Sequence, residues 1–396
     1  MHRGSLENQK EKGQIMDKMQ VFRKNILAFI GHHRISGDGA GRYRYSVMTD
    51  TPTLYSSTYA AMTRSLLDDL KEIGDGDRTE WVGYLNGHQD DDGLFRDPVI
   101  FNQGCWYKDD PLWCGRPHLT CHVIIALTCL GAAAAKPFRW LDQWREPDAL
   151  IRWLEERDWG ARVSWTGNEI MNVGTLLQYS RDFHNDTRAG KAVAVLLEWM
   201  ASHHINPETG VWGAVDVRDP VWRSHAVMAA YHLWPLFFYD KVPVPYVERA
   251  VDTVLATQNQ FGGFGCGVHN GAEPSKSSAC EDIDSIDPLC RMSRLTDYRR
   301  ADIRAALTKA ADWVLTNQMP DGGFVFIKDR PFEYGHCELR SEANQGAMFP
   351  TWFRTLSLAL LGSALPEHAL GKIQWKFARC PGMQFWERNN VIESLD

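Results

Sequence analysis

From about residue 50 onward, hydrophobic positions fall in blocks of helical period, alternately apolar all round and apolar on one face. Thr51-Pro52-Thr53 opens the first block, where Tyr55, Tyr59, Met62 and Leu66 recur at helical spacing and the pattern runs on through Leu70 to Ile73 before Gly74 stops it. A shorter helix is expected at about Thr79–Leu85, then a long loop rich in Asp, Gly and Trp from Asn86 to Pro117. The pattern then predicts paired helices over roughly 118–133 and 147–157, 168–183 and 186–202, 222–239 and 243–258, 282–295 and 298–317, and 350–363 and 366–378. The first helix of each later pair is the more apolar, as in His118–Leu127 or Thr351–Leu360, and belongs inside. The second, as in Tyr298–Leu307, has a face to show to water. Sustained strand alternation is almost absent. Met1–Gln20 is of mixed charge and expected to be peripheral, and Val21–His33 is a short amphipathic segment.

A related turn follows several second helices: Gly87–Phe95, Asn206–Gly213, Gln258–Phe264 and Gln318–Phe324. Recurrence every fifty to sixty residues or so, with one copy missing between the first two, marks stacked supersecondary units. Glycine supplies the positive φ such a turn needs, and the aromatic fills the gap between neighbouring hairpins. Six hairpins with inner and outer helices can close on themselves. The expectation is an all-α fold, an (α/α)6 toroid, over residues 51–396, preceded by an extension with a short helix over residues 1–50.

Composition narrows the partners. The chain has 396 residues, 44% hydrophobic and 23% charged, with a net charge of -7. That balance offers no general attraction to nucleic acid or to an anionic membrane surface, and a small-molecule substrate is expected instead. Nine cysteines without a framework spacing, behind a polar amino terminus, suggest reduced thiols and a cytoplasmic setting. The most apolar runs, Val123–Ala135 and Leu356–Leu361, are too short to cross a bilayer.

One stretch concentrates chemistry. Ser278–Cys290 carries Glu281, Asp282, Asp284 and Asp287 at the start of an inner helix. Acids so close repel one another, so unless a cation neutralises them at least one pKa must rise; the bland alternative is helix capping. Phe261-Gly262-Gly263-Phe264-Gly265-Cys266-Gly267 shapes the approach to it.

The repeat of the form Gln-x-x-Asp-Gly-Gly-Phe, clear at Gln318–Phe324 and weaker at Gln258–Phe264, resembles that of squalene cyclase and other class II terpene cyclases and of protein prenyltransferase β-subunits, over roughly residues 50–380. The cyclases carry an Asp-x-Asp-Asp motif whose middle Asp protonates an alkene or epoxide. Asp282-Ile283-Asp284-Ser285 is similar to it, with Ser285 in place of the last Asp. The resemblance implies Asp284 as proton donor, Asp282 and Asp287 tuning it, His225 or Glu169 as proton acceptor, and Trp165, Phe349 and Trp352 among the cavity walls. Trp106, Trp113 and Trp222 are further candidate faces for a carbocation. The prenyltransferases bind zinc through Asp, Cys and His. Asp287 and Cys290 lie near the corresponding helix, but no His stands at Ala347–Trp352, and His118 with His122 make only a pair, so no metal and no cofactor are expected.

A second reading starts from the polar residues at the expected inner-helix amino ends: His118, Asn168, Glu169, Arg223 and His225, with Arg340 and Glu342 in the loop before the last inner helix. Meeting at one mouth, beside the loops 86–117, 262–281 and 325–349, they would suit a sugar or a diphosphate. A carbohydrate-active hydrolase or lyase would use Glu169, Asp284 and Glu342 as acids and bases, with His225 and Arg223 on the substrate. A non-catalytic binding toroid is the third possibility.

Overall fold

A computed structural model describes residues 19–386, apart from 38, 105, 270 and 272–275. Most of Met1–Gln20 and part of the loop 262–281 therefore lie outside the described residues. Residues 19–32 form helix α1, followed by α2 (Leu54–Leu66), α3 (Asp75–Asn86), the single turn α4 (Ile100–Gln103), α5 (Arg116–Cys129), α6 (Pro147–Glu155), α7 (Val163–Phe183), α8 (Thr187–Ser202), α9 (Pro220–Asp240), α10 (Val247–Leu255), α11 (Ala279–Met292), α12 (Arg300–Leu315) and α13 (Met348–Ala364). A two-residue hairpin, β1 (Phe332–Glu333) with β2 (Arg340–Ser341), ornaments the loop before α13.

Helices α2, α5, α7, α9, α11 and α13 each pack on the next, and α13 packs back on α2, which closes the inner ring. They are the helices with no polar face to spare: all of α2 but Arg64 is buried, and α13 is buried from Met348 to Gly362. Outer helices instead bury one stripe, as α8 does with Ala189, Ala192, Val193, Leu196, Leu197 and Met200. The architecture is the expected (α/α)6 toroid.

The sixth outer helix comes from an unexpected place. After α13 the chain makes one 3-10 turn, Ala369–Lys372, and runs without helix to residue 386. The helix expected at 366–378 is thus reduced to that turn, consistent with Pro366 and Gly371 leaving too short a stretch to propagate. Its slot in the ring is taken by α1, from the segment set apart as an extension. Phe22, Ile26, Phe29 and Ile30, one helical face, are buried there. The glycine turns show the equivalence: a Cβ on Gly210 would come within 2.4 Å of Ala250 N in α10, one on Gly262 within 2.6 Å of Lys309 O in α12, and one on Gly322 within 2.3 Å of Asn25 O in α1. Each turn abuts the outer helix of the next hairpin, and α1 serves the last.

Gly322 also sits at φ +90°, where a side chain is strained. Gly322→Ala is expected to cost about 2 kcal/mol or more, through strain and through displacement of α1. A chemical denaturation midpoint equal to that of the wild type would mean that α1 does not depend on this turn.

The two ends of the ring differ. The long loops gather over the amino ends of the inner helices, where Tyr107 Oη donates to Tyr334 O at 2.7 Å and His269 packs on Phe326 at 5.5 Å. The opposite end is crossed by the C-terminal segment, which buries Cys380, Met383, Gln384 and Phe385. No helix among the described residues is long and apolar enough to cross a membrane.

Candidate active site

Helix α11 begins with a reciprocal cap. Ser278 Oγ accepts from Glu281 N at 3.1 Å while Glu281 Oε2 accepts from Ser278 N at 3.1 Å, and Glu281 Oε1 also accepts from Val268 N at 3.1 Å. Asp282 points to the side of the helix away from Asp284, since the two residues between them rotate a helix by about 200°. There its carboxylate accepts from Arg354 Nη1 at 2.7 Å, Trp313 Nε1 at 2.9 Å and Phe264 N at 2.9 Å. Asp287 is held by Arg291, with Nε 2.5 Å from Oδ1. Three of the four acids are therefore satisfied by caps, tryptophan or arginine. Asp284 is not: its Oδ2 is buried with no hydrogen-bond partner among the described residues. Burial raises its pKa well above the ordinary carboxyl range, and the neighbouring Glu281 and Asp282 push in the same direction.

Asp284 lines a cavity inside the ring. Aromatic rings dominate its wall: Trp106, Trp113, Trp165, Phe326, Phe332, Tyr334, Phe349 and Phe353. Four of the inner helices contribute residues spaced i,i+4, the interval that returns a side chain to the same face: His118 with His122, Met228 with His232, Cys280 with Asp284, and Phe349 with Phe353. Helix α7 adds Trp165 and Asn168. The mouth widens into an open groove between Trp106, Trp113, Trp165, His269 and the 326–333 loop, with Arg162 at its edge.

The histidines of this cavity are neutral. Burial lowers His122, His232 and His269 to about 4 and holds His118 well below its ordinary value, the last also through repulsion from His122 and His232. Two have their tautomer set by a backbone carbonyl: His122 Nδ1 lies 2.8 Å from His118 O and His232 Nδ1 lies 2.6 Å from Met228 O, so each Nδ1 carries the hydrogen and each Nε2 a lone pair. His118 Nδ1 is 2.7 Å from Tyr55 Oη. Tyr231 Oη, in the same cavity, is buried without a partner among the described residues.

Of the residues singled out in the sequence, Asp284, Trp165, His118 and Phe349 line this cavity, as do Trp106, Trp113 and Asn168. Trp352 stands behind the wall, stacked on Tyr59 at 5.2 Å with Nε1 donating to Gln384 Oε1 at 2.7 Å. The others lie elsewhere. Glu169 is paired with Arg157 at 3.1 Å and Arg162 at 3.8 Å, and His225 Nδ1 is 3.0 Å from Ser164 Oγ on a half-buried ring. Arg223 ties together the carbonyls of Val217 and Ala256, and Arg340 and Glu342 are exposed on their loop. The polar residues near the rim thus divide into fold contacts and cavity contacts. His122, His232, His269, Tyr231, Tyr334, Phe326, Phe332 and Phe353 carry the remaining wall. The signal that marks three of them, His122, His232 and Phe353, is the i,i+4 recurrence within the most apolar helices. Among the described residues no group of three metal-binding side chains converges.

No protein-family model matches the chain, and neither does any curated protein. Among solved structures it is similar to the type II terpene cyclase MstE from Scytonema, in complex with geranylgeranyl dihydroxybenzoate as substrate, with a TM-score of 0.51, 13% identity, and coverage of 89% of this chain and 99% of that one. The GH76A α-1,6-mannanase from Salegentibacter sp. HEL1_6 matches with a TM-score of 0.46 and 11% identity over 86% of this chain and 97% of its own. A polysaccharide lyase matches at 0.46 and 11% over 89% and 97%. The likeness to the cyclase is one of fold alone, and it agrees with the α/α toroid that the helix packing draws.

Proposed function

We propose that this protein is a protonation-initiated isoprenoid cyclase with Asp284 as its acid. The observation that carries this reading is a single carboxyl, its pKa raised by burial and its Oδ2 without a hydrogen-bond partner among the described residues, in a cavity walled by aromatic rings. The proton of Asp284 passes to a substrate alkene or epoxide, whose electron pair forms the new bond to hydrogen and leaves a carbocation. Further double bonds attack that centre in turn, and the π faces of Trp165, Tyr334, Phe349 and Phe353 stabilise the moving charge. The carboxylate left on Asp284 needs a donor, and the Tyr231 hydroxyl is available in the same cavity.

The cascade ends when a C–H bond next to the last cation gives up its proton and its electron pair becomes an alkene. His232 is the acceptor this geometry supports, rather than His225 or Glu169, because its Nε2 lone pair belongs to a cavity residue and its Nδ1 is already engaged. The proton count balances: one enters from Asp284, one leaves to His232, and exchange with solvent restores both. Activity should fall in acid as His232 protonates near its pKa of about 4, and fall again as pH rises through the raised pKa of Asp284.

The carbohydrate reading is less well supported. Glycosidic chemistry uses two carboxyl groups flanking the bond, and Asp284 is the one carboxyl among the described lining residues, Glu169 being ion-paired and Glu342 exposed. The test is mass-spectrometric product analysis with linear isoprenoids, their diphosphates, and neutral and acidic oligosaccharides. A cyclised isoprenoid is expected from the wild type. From His232→Phe we expect consumption of the same substrate with the product shifted to other double-bond isomers or to a water-quenched alcohol. Oligosaccharide breakdown alone would sink the proposal, and an unchanged product pattern in the variant would remove His232 from its role.

A further inference from the structure

The cavity has a floor that the helices do not make. Of its lining residues, Met383 alone comes from beyond α13, in the segment that crosses the ring opposite the mouth. Its neighbours are fixed on both sides. A Cβ on Gly382 would meet Ile125 Cδ1 at 2.9 Å and Thr175 Cγ2 at 3.7 Å, deep positions on α5 and α7. Gln384, fully buried, donates from Nε2 to Met62 O at 3.1 Å and accepts from Trp352 Nε1 at 2.7 Å. Arg291 Nη2 donates to Phe385 O at 2.6 Å, and its guanidinium lies 5.1 Å from the Trp386 ring.

We infer that this C-terminal strap sets the length of the apolar chain the cavity admits, with the Met383 side chain as the stop. The strap is pinned through Gln384 and Phe385 to α2, α11 and α13, so Met383 cannot withdraw without breaking buried hydrogen bonds. An unbranched thioether is a soft stop, filling the end of the space without a fixed shape of its own. A chain lying along the aromatic wall from the Trp106–Trp165 mouth past Asp284 ends against it. Truncation to alanine removes three heavy atoms at the end of the cavity, while the strap's backbone and Gln384 keep the end sealed. This inference takes the isoprenoid nature of the chain from the cyclase reading. The position of the floor is independent of it.

The experiment measures binding of geraniol, farnesol, geranylgeraniol and geranylfarnesol by isothermal titration calorimetry to the wild type and to Met383→Ala, Met383→Trp and Met383→Leu. Thermal melting of each variant establishes that it is folded. Affinity should rise with length up to a limit and then fall. Met383→Ala should relax the limit, with about a tenfold or greater gain for the first chain the wild type rejects. Met383→Trp should move it shorter, and Met383→Leu, of similar volume, should leave it in place. The same limit in all four proteins overturns the inference, as does a wild type that binds none of the series. A limit that moves while the wild type converts no isoprenoid would sustain the floor and sink the cyclase reading. Cyclised products with an immovable limit would do the reverse.

Discussion

Asp284→Asn is expected to lower isoprenoid conversion by about three orders of magnitude, the scale on which a positioned general acid acts, while leaving the protein folded. Asparagine keeps the shape of the side chain and removes the proton that the first step requires. It strands nothing, because Asp284 makes no salt bridge and its Oδ2 has no hydrogen-bond partner among the described residues. The stability of the variant carries a second signature. A carboxyl whose pKa is raised on folding contributes stability below its unfolded pKa, and that contribution is lost as pH rises through the folded pKa. The wild type should therefore weaken relative to Asp284→Asn as pH rises from the ordinary carboxyl range through the raised pKa. Melting both proteins from the ordinary carboxyl pKa of about 4 upwards checks this, and parallel curves throughout would show that Asp284 is not a desolvated group. The cavity histidines act in the opposite sense. With pKa values lowered to about 4, His122 and His232 contribute stability above their ordinary pKa that is lost as pH falls towards 4.

Arg354→Met should destabilise the protein by about 3–5 kcal/mol, the usual cost of stranding one half of a buried ion pair. Arg354 is fully buried and holds more than Asp282. Nε donates to Val325 O at 2.9 Å and Nη2 to Phe326 O at 3.0 Å, so one side chain ties the 325–326 loop and α11 to α13. The double variant Arg354→Met with Asp282→Leu should recover part of the loss, because no charge is left without its partner. Equilibrium unfolding of the two variants decides it, and a single variant within 1 kcal/mol or so of the wild type would mean that the pair is dispensable. The effect should reach the site, since Phe326 lines the cavity and Asp282 lies two residues from the acid.

Much of this molecule was legible one residue at a time. Asp284 stood out because it lies among other acids at the start of an apolar helix. That Asp282 and Asp287 are neutralised was hidden from the pattern, because Arg354 lies 72 residues from its partner and Arg291, though only one turn away, shows its side only in the folded ring. Glu169 and His225 looked equivalent to His118 on the same grounds, near an inner-helix amino end. Which way each helix is rotated about its own axis separates them, and in helices apolar all round the hydrophobic pattern carries no information on rotation.

The same division holds at the scale of the fold. Helical period, apolar inner blocks and glycine-aromatic turns establish a ring of helical hairpins, because each is a local consequence of backbone geometry and burial. The amphipathic stripe of α1 says that it packs on something, and a stripe of that kind fits any outer slot. Only closure of the ring assigns it to the sixth, against Gly322, in place of the expected helix after α13. The floor made by Met383 and the raised pKa of Asp284 belong likewise to tertiary structure. Both depend on which side chains meet across the ring and on the exclusion of water there, quantities set by long-range packing that no stretch of chain contains by itself.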